Sequence, residues 1–326
     1  MILVGRQTSL SGQDAEFSQF YHAPVYLNPA LIGFSEAPRF TLNFRDHLPA
    51  FNHAFISSSV SYDQHFHDIN SSIGLNIVAD IAGNLLNTYQ INGVYAYQLS
   101  VTDNLYVKTG IQAGVLYQTI NTEQILFGDQ INPAAIVDNM SFPTNELPFE
   151  NTSITKLDLG VGFAVYNNDF FAGASFKHLN RPTFSYTGVQ DDAVDLEIRS
   201  SIHFGNTFYL NDPFMDKYQL YFTPTLMLAN QGSFSQVTAG AYVGRGAIFG
   251  GIWLRHALKN SDALIFMVGV KEGIFRVGYS YDANLGKVQT AAGAHELSLS
   301  FDLGQTEYIK KRARMRGNQE CPVMFR

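Results

Sequence analysis

Hydrophobic and polar residues alternate along most of this chain, most clearly over residues 88–118. In each half of this stretch one face is apolar and tyrosine-rich, while the other carries amides, small residues and Lys108. Each half is about ten residues or longer, against about five or six for a strand of a soluble protein. A tilted strand of about 9–11 residues crosses a bilayer, and apolar-out, polar-in alternation is typical of a transmembrane barrel. We therefore predict that residues 88–118 form one hairpin of an outer-membrane barrel.

The same alternation predicts fourteen strands in all. They are expected near residues 39–45, 54–62, 72–80, 88–98, 105–118, 156–166, 170–178, 194–208, 217–229, 234–244, 246–256, 262–271, 273–281 and 295–303. An even strand count is usual for a bacterial single-chain barrel and places both ends of the barrel on the same side. The predicted fold class is all-β: a single transmembrane antiparallel β-barrel over residues 39–303.

The lengths of the connections support this interpretation. Successive connections between strands lie at alternating ends of a barrel and so divide into two sets. One set consists of short turns, and the other contains all the long connections: Thr119–Thr155, Leu179–Ala193 and Asp282–Ala294. Barrels place short turns in the periplasm and long loops outside the cell. The long connections are therefore predicted to face the exterior. A soluble β-sandwich, the main alternative, would have shorter strands and a more heavily charged polar face.

Composition agrees with a barrel more than with a helical membrane protein. The chain has 26 Phe and 17 Tyr but one Trp, only 15% charged residues, and no apolar run of 18 residues. Its mean hydropathy of −0.04 is moderate because half of each strand would face a polar lumen. Cys321 is the single cysteine, which rules out an internal disulfide. The net charge of −7 includes +5 in residues 310–326, so the body is acidic and does not favour nucleic acid.

The two ends of the chain are expected to differ from the barrel. Residues 1–12 are interpreted as a leader remnant or the end of a signal peptide. Residues 13–38 are rich in aromatics and prolines, so we predict a periplasmic or plug segment packed inside the barrel or against its periplasmic mouth. Residues 304–326 are predicted to be a basic periplasmic tail. Both termini are thus expected in the periplasm.

No catalytic, cofactor or metal site is predicted. His65, His67 and Asp68 are interpreted as a solvated turn, and Asp191, Asp192 and Asp195 lack the glycine spacing of a calcium loop. His295 and Ser298 would point to opposite faces of a strand, which excludes them as a catalytic pair. Charged residues on inward faces are expected to pair inside the barrel: Lys108, Lys156, Asp158, Glu197, Arg199 and His203.

Both ends of the sequence resemble a known family. The residues that carry the likeness are Gln13, Asp14, Phe17, Ser18, Gln19, Phe20, Tyr21, Pro24, Tyr26, Asn28, Pro29, Ala30 and Gly33, then Asn43, Phe44, Arg45 and Pro49, then Ser61, Tyr62 and Asp63, and finally Cys321, Pro322 and Phe325. They resemble the motifs of the PorP/SprF family, outer-membrane proteins of the Bacteroidota type IX secretion and gliding machinery. Ala15, Ile32 and Leu48 depart from the residues usual in that family.

This resemblance implies a non-enzymatic role in secreting or anchoring a type IX cargo, often an adhesin, and in linking it to a periplasmic ring, motor or peptidoglycan-associated component. The cargo face would be Thr119–Thr155 and Leu179–Ala193. The machinery face would be the short turns, Phe17–Gly33 and the tail with Lys310, Lys311 and Arg312. Outer-membrane lipid would surround the barrel. The alternative is a passive transporter for a small solute, and an outer-membrane enzyme ranks third.

Overall fold

The structure is a computed structural model that describes residues 14–35, 37–49, 55–83, 85–122, 151–187, 193–211, 219–258, 262–285 and 293–303. Helical structure in these ranges is limited to the short turns Phe20–His22, Pro24–Leu27, Pro29–Leu31 and His67–Ile69. None of the described helices has the length and apolar character needed to cross a membrane.

Strands make up most of the described chain. In order they are β1 (Arg39–Asp46), β2 (Phe55–Phe66), β3 (Ser71–Ala82), β4 (Leu86–Thr102), β5 (Leu105–Ile120), β6 (Ser153–Tyr166), β7 (Phe170–Lys177), β8 (Thr183–Phe184), β9 (Val194–Asp195), β10 (Arg199–Asn206), β11 (Phe208–Tyr209), β12 (Leu220–Gln231), β13 (Phe234–Arg245), β14 (Ile248–Ala257), β15 (Ala263–Glu272), β16 (Phe275–Asn284) and β17 (Ala294–Asp302).

The sheet closes on itself. Neighbouring strands pair antiparallel, β1 pairs with β17, and β10 pairs with β12. The sheet contains 15 strands, but the two-residue β11 only extends the ladder along β12, so fourteen strands form the wall. β8 and β9 pair with each other, apart from the wall. The predicted fourteen-strand antiparallel barrel is confirmed.

One predicted strand is wrong in its extent. Residues 194–208 were expected to form a single strand, but they divide among β9, β10 and β11. Val194 and Asp195 leave the wall because they pair with Phe184 and Thr183. The alternation of apolar and polar residues continues across this hairpin, so the pattern alone does not mark where the wall strand begins.

The two faces of the wall have opposite character. On β4, Ile91 and Leu99 are exposed while Asn92 and Gln98 are buried, and on β5 the Lys108 side chain is completely buried. The apolar side chains therefore lie outside and the polar ones inside, as in membrane barrels and unlike soluble proteins. This pattern confirms the prediction for residues 88–118.

The connections define two ends of the barrel. The long-loop end carries the connections 47–54, 83–85, 121–152, 178–198, 232–233, 258–262 and 285–293. The short-turn end carries 67–70, 103–104, 167–169, 207–219, 246–247 and 273–274, together with the start of β1 and the end of β17. The two longest connections, 121–152 and 178–198, lie at the same end, as the sequence predicted, whereas 207–219 at the short-turn end is longer than 285–293 at the long-loop end.

Residues 14–35, which we call the lumen segment, lie inside the barrel. All but two of these residues are buried, and the exceptions, Asp14 and Glu16, are half-buried. The Asp14 amide donates to Gln231 Oε1 (3.0 Å) at the long-loop end. The Ser35 hydroxyl donates to Asp302 Oδ1 (2.8 Å) at the short-turn end. The segment therefore runs through the whole barrel, and of the two predicted positions the one inside the barrel is confirmed.

The lumen segment begins and leaves at opposite ends of the barrel. Asp14 lies at the long-loop end, whereas Leu303 lies at the short-turn end, where its amide donates to the Pro38 carbonyl (2.8 Å). The first and last described parts of the chain are thus at opposite ends, although the barrel strands begin and end on the same side. An even number of strands places the start of β1 at residue 39 on the same side as the end of β17. It gives no information about the path of the residues before β1.

Candidate functional site

The candidate site is the contact between the lumen segment and the inner wall. Pro24 and Pro29 each stand at the first position of a short helical turn, where proline costs no hydrogen bond. Asn28 caps the second turn, because its Oδ1 accepts from the Ala30 amide (2.8 Å). Gly33 follows with a φ of 66°, a left-handed conformation that glycine adopts without strain. These residues give the segment a compact, turned shape that fits the lumen.

Asn28 ties the middle of the segment to three wall strands. Its Nδ2 donates to the Phe163 carbonyl (3.0 Å) and the Ala174 carbonyl (3.2 Å), and it lies 3.1 Å from His203 Nε2. The wall is glycine-rich here because a Cβ on Gly162 would overlap Asn28 and Pro29. The Asn28-Pro29-Ala30 motif is therefore a close backbone-to-wall contact.

A buried cluster of charges holds Ser18 and Gln19. The Glu296 carboxylate accepts from the Ser18 amide (2.7 Å), the Gln19 amide (3.0 Å) and Arg45 Nη1 (3.0 Å). Arg45 and Arg255 both donate to Asp282 Oδ2 at 2.7 Å, and the Ser18 hydroxyl donates to the same oxygen (2.6 Å). Buried charges require partners, and in this cluster the lumen segment supplies several of them.

A second charged contact lies near the short-turn end. Arg39 forms a two-point contact with Asp63 at 3.0 Å, and Asp63 Oδ2 also accepts from the Gly33 amide (2.6 Å). Lys108 Nζ donates to the Ile32 carbonyl (2.5 Å) and lies 5.2 Å from the centre of the Phe34 ring. The exit of the segment is therefore held by wall charges from three strands.

A third charged contact holds the beginning of the segment. His178, just beyond β7, lies 2.8 Å from Asp14 Oδ2 and 2.7 Å from Asp158 Oδ1. Burial alone would lower the pKa of His178, but the two carboxylates outweigh burial and raise the pKa to about 9. The imidazole is therefore protonated at neutral pH, and it joins the lumen segment to β6 and to the connection 178–198.

Aromatic side chains fill the centre of the lumen. The Tyr21 ring packs edge-on against Phe171 (5.2 Å between centres), and Tyr242 packs edge-on against Trp253 (4.4 Å). The Trp253 indole donates to Thr225 Oγ1 (2.9 Å). These residues belong to one buried cluster that includes both segment and wall. The interior is thus packed like a protein core.

One cavity of about 450 Å³ opens at the long-loop end. It lies between the start of the lumen segment and the wall, and its lining includes Asp14, Glu16, Asp80, Arg199 and Phe55. The Ser57 hydroxyl donates to Asp80 Oδ1 (2.5 Å). Asp14 and Glu16 lie near arginines, whereas Asp80 has no cationic partner among the described residues. The cavity therefore presents one uncompensated carboxylate beside apolar surface.

Most residues singled out from the sequence meet in this site. Phe17, Ser18, Gln19, Tyr21, Asn28, Pro29, Ala30 and Gly33 belong to the lumen segment, and Asn43, Arg45 and Asp63 face it from β1 and β2. Tyr62 does not, because it lies on the outer face, where its ring packs against Phe40 (4.8 Å). Lys310, Lys311, Arg312, Cys321, Pro322 and Phe325 lie outside the described residues.

The inward charges predicted from strand parity are mostly correct. Lys108, Asp158, Arg199 and His203 all contact the lumen segment or its anchors. Glu197 was wrong: it precedes β10 and pairs with Arg181 on the exposed rim (2.8 Å). Lys156 is half-buried and forms no ion pair with a described residue.

His65 was also placed wrongly. It lies within β2, not in a solvated turn, and it is buried with Nδ1 2.8 Å from Ser72 Oγ. His295 and Ser298 are on opposite faces as predicted: His295 contacts Tyr279, and Ser298 contacts Gln19. Among the described residues no three His, Cys, Asp or Glu side chains group as metal ligands.

Sequence reasoning missed several anchors, namely Arg39, His178, Arg255, Asp282 and Glu296. The signal for Arg39 was available, because it shares the inward parity of Arg45 on β1. Asp282 was assigned to a loop since its strand was ended one residue too early. His178 lies outside any strand, so no periodicity indicated it.

The closed wall, its apolar outer face and its polar inner face define an outer-membrane β-barrel. The chain belongs to the family of the type IX secretion system membrane protein PorP/SprF, whose model matches residues 9–301. It is therefore a membrane component of type IX secretion, in a family and fold that are not those of an enzyme.

A solved structure with a TM-score above 0.5 agrees at the level of the fold. The toluene transporter TbuX of Ralstonia pickettii is 12% identical with a TM-score of 0.52, over 86% of this chain and 93% of that one. A mutant of the monoaromatic hydrocarbon channel TodX is 11% identical with a TM-score of 0.48, over 86% of this chain and 94% of that one. Among curated proteins no sequence matches this chain.

Proposed function

We propose that this barrel is a static outer-membrane anchor that holds or helps to secrete a specific type IX cargo at its long-loop end. The observation that supports this role best is the filled interior. Because the lumen segment occupies the barrel from one end to the other, the surfaces open to partners are the two ends. The cargo, adhesin-like in the implied family role, would contact the connections 121–152 and 178–198.

The short-turn end is proposed to face the periplasm. Membrane barrels place short turns there and long loops outside. In this orientation the short turns and residues 304–326 would meet a periplasmic ring, motor or peptidoglycan-associated component. The lumen segment, which was first assigned to the same machinery face, would contribute only its last residues, near Phe34 and Ser35, to that end.

The cavity extends the proposed cargo face inward. Asp80 offers a carboxylate without a cationic partner, and Phe55 and Leu48 offer apolar surface beside it. A lysine or arginine side chain has the matching character, with an apolar stem and a charged head. We propose that a basic side chain of the cargo enters this cavity.

Passive transport of a small solute is the second candidate. The toluene transporter TbuX shares the fold, although at 12% identity the likeness concerns the fold alone. Transport through this barrel would require a path past Tyr21, Phe171 and Trp253, which are all buried in one packed cluster. The filled interior therefore favours the anchor.

The test is site-specific photo-crosslinking in the native envelope. A crosslinker at Leu179, exposed on the connection 178–198, should capture a secreted surface protein, and one at Asn104 should capture a periplasmic component. Ile111 on the lipid-facing side is the matched control and should capture neither. Failure of Leu179 to capture any type IX cargo, together with solute flux through the purified barrel in liposomes, would support the transporter instead.

A further inference from the structure

The junction of β1 and β17, which we call the seam, is where the chain closes the barrel. It joins the first and last wall strands, for example Thr41 with Ser300 and Arg45 with Glu296. Every other junction joins wall strands that follow each other directly along the chain. The seam therefore closes the longest loop of the barrel and carries the largest entropic cost of pairing.

The lumen segment contacts both strands of this seam: the Ser18 hydroxyl oxygen accepts from Arg45 Nη1 on β1, while Gln19 and His22 contact β17. Gln19 Nε2 donates to Ser280 Oγ (3.2 Å) and to the Glu296 carbonyl (3.0 Å), and its Oε1 accepts from the Ser298 hydroxyl (2.7 Å). His22 Nδ1 lies 3.1 Å from the same Ser298 oxygen. These contacts follow β16 and β17 from the long-loop end to the middle of the barrel.

The charges across the seam depend on the same residues. Arg45 on β1 reaches Asp282 on β16 and Glu296 on β17, so the ion cluster crosses the seam. The backbone amides of Ser18 and Gln19 supply two of the three donors on the Glu296 carboxylate. Without them Glu296 would be buried with one partner, which makes the cross-seam cluster costly to form.

At the other end of the seam the segment makes a second set of contacts. The Gly33 amide contacts Asp63, which also binds Arg39 at the start of β1, and Ser35 contacts Asp302 at the end of β17. Between the two sets, Asn28 binds the opposite wall through Phe163, Ala174 and His203.

We propose that the lumen segment is an internal strap that holds the first and last strands of the barrel together, so that the seam stays closed only while Ser18 and Gln19 are bound to it. This role concerns the integrity of the barrel and does not depend on the identity of any cargo.

The experiment measures backbone hydrogen exchange in the full-length protein in detergent, strand by strand. The test variant carries Ser18→Ala and Gln19→Ala, which remove the side-chain bonds to Asp282, Ser280, Ser298 and the Glu296 carbonyl while the two backbone amides stay available to the Glu296 carboxylate. The matched control is Asn28→Ala, which removes three buried contacts between the segment and the opposite wall. Since each buried hydrogen bond contributes about 0.5–1.5 kcal/mol, the test variant should speed exchange in β1 and β17 by roughly tenfold to a hundredfold. Exchange in β3 and β4 should be unchanged.

A seam disulfide provides the second measurement. Thr41 and Ser300 are paired in register with hydroxyl oxygens 3.3 Å apart, so Thr41→Cys with Ser300→Cys can bridge the seam, in a background with Cys321→Ser. This disulfide should restore slow exchange at the seam in the Ser18/Gln19 variant and should not correct the effect of Asn28→Ala on β6, β7 and β10. Equal acceleration of all strands, unchanged exchange in β1 and β17, or acceleration of the seam by Asn28→Ala to the same degree would each overturn the proposal.

Discussion

Raising the pH through about 9 should loosen the Asp14 end of the lumen segment, because His178 then loses the charge that binds two carboxylates. The side chains of His178, Asp14 and Asp158 are 0%, 3% and 1% exposed, so solvent screens these pairs very little. The perturbation is pH itself, and the comparison variant is His178→Gln, which keeps a hydrogen-bond donor but carries no charge at any pH.

The magnitude follows from the pKa. Although burial opposes the charged form, the carboxylates raise the pKa of His178 from its ordinary 6.5 to about 9. At 1.36 kcal/mol for each pH unit, this corresponds to a stabilisation on the order of 3 kcal/mol. Because the folded pKa is raised, the stabilisation is fully present below pH 6.5, declines between pH 6.5 and 9, and is lost above 9.

The assay is thermal unfolding of the barrel in detergent at several pH values from 6 to 10. The wild type should unfold several degrees above His178→Gln at pH 6, by about 5–10 °C, and the two curves should converge above pH 9. Taking the difference between the two proteins removes the contribution of every other group that titrates in this range. Any backbone strain of glutamine at the φ of 57° that His178 adopts does not depend on pH, so it cannot imitate the convergence.

If the unfolding temperatures of the wild type and His178→Gln differed by the same interval at every pH, the reasoning would be refuted. Such a result would mean that His178 contributes packing or a neutral hydrogen bond and that Asp14 does not depend on its charge. A difference in unfolding temperature that grows with pH would contradict the predicted loss of His178 stabilisation at high pH.

Three further predictions concern the wall. Gly162→Ala should destabilise the barrel by about 1–3 kcal/mol, since the added Cβ meets Asn28, whereas Gly93→Ala, whose Cβ would have its nearest neighbour at 3.7 Å, should leave the unfolding temperature unchanged. Arg45→Met should cost about 3–5 kcal/mol in denaturant unfolding by leaving Asp282 and Glu296 buried without that partner, and an unfolding midpoint equal to that of the wild type would contradict this. Asp80→Asn should keep the barrel stable but reduce recovery of cargo from the envelope, and unchanged recovery would exclude the cavity as a cargo contact.

The wall could be predicted from sequence because each strand repeats the same local rule. Ile91 and Leu99 alternate with Asn92 and Gln98, and a period of two assigns each side chain to a face without knowledge of its neighbours. The hydrophobic surface of Phe17, Tyr21 and Phe34 also indicated that the N-terminal segment had to be buried.

The path of that segment could not be predicted in the same way. Its direction depends on pairings such as Ser18 with Asp282 and Ser35 with Asp302, which join residues more than 260 positions apart. No periodicity links these residues, and each alone looks like an ordinary polar residue. His178 shows the same limit, because only the fold brings it between Asp14 and Asp158.

The energetics of the lumen segment bear directly on the choice between anchor and transporter. Withdrawing it would remove two donors from Glu296, one from Asp63 and the carbonyl that Lys108 binds, each worth about 1.5–3 kcal/mol for a charged group. It would also uncover the buried side chains of Tyr21 and Phe34, at about 1.5–3 kcal/mol each. These costs together amount to at least about 9 kcal/mol, which corresponds to an open population below about one molecule in 10⁶. A barrel that empties so rarely does not supply a useful solute path by thermal opening, so transport through this lumen would require a partner that supplies the energy. Frequent conductance steps from the purified barrel in a planar bilayer would contradict this estimate and the strap together.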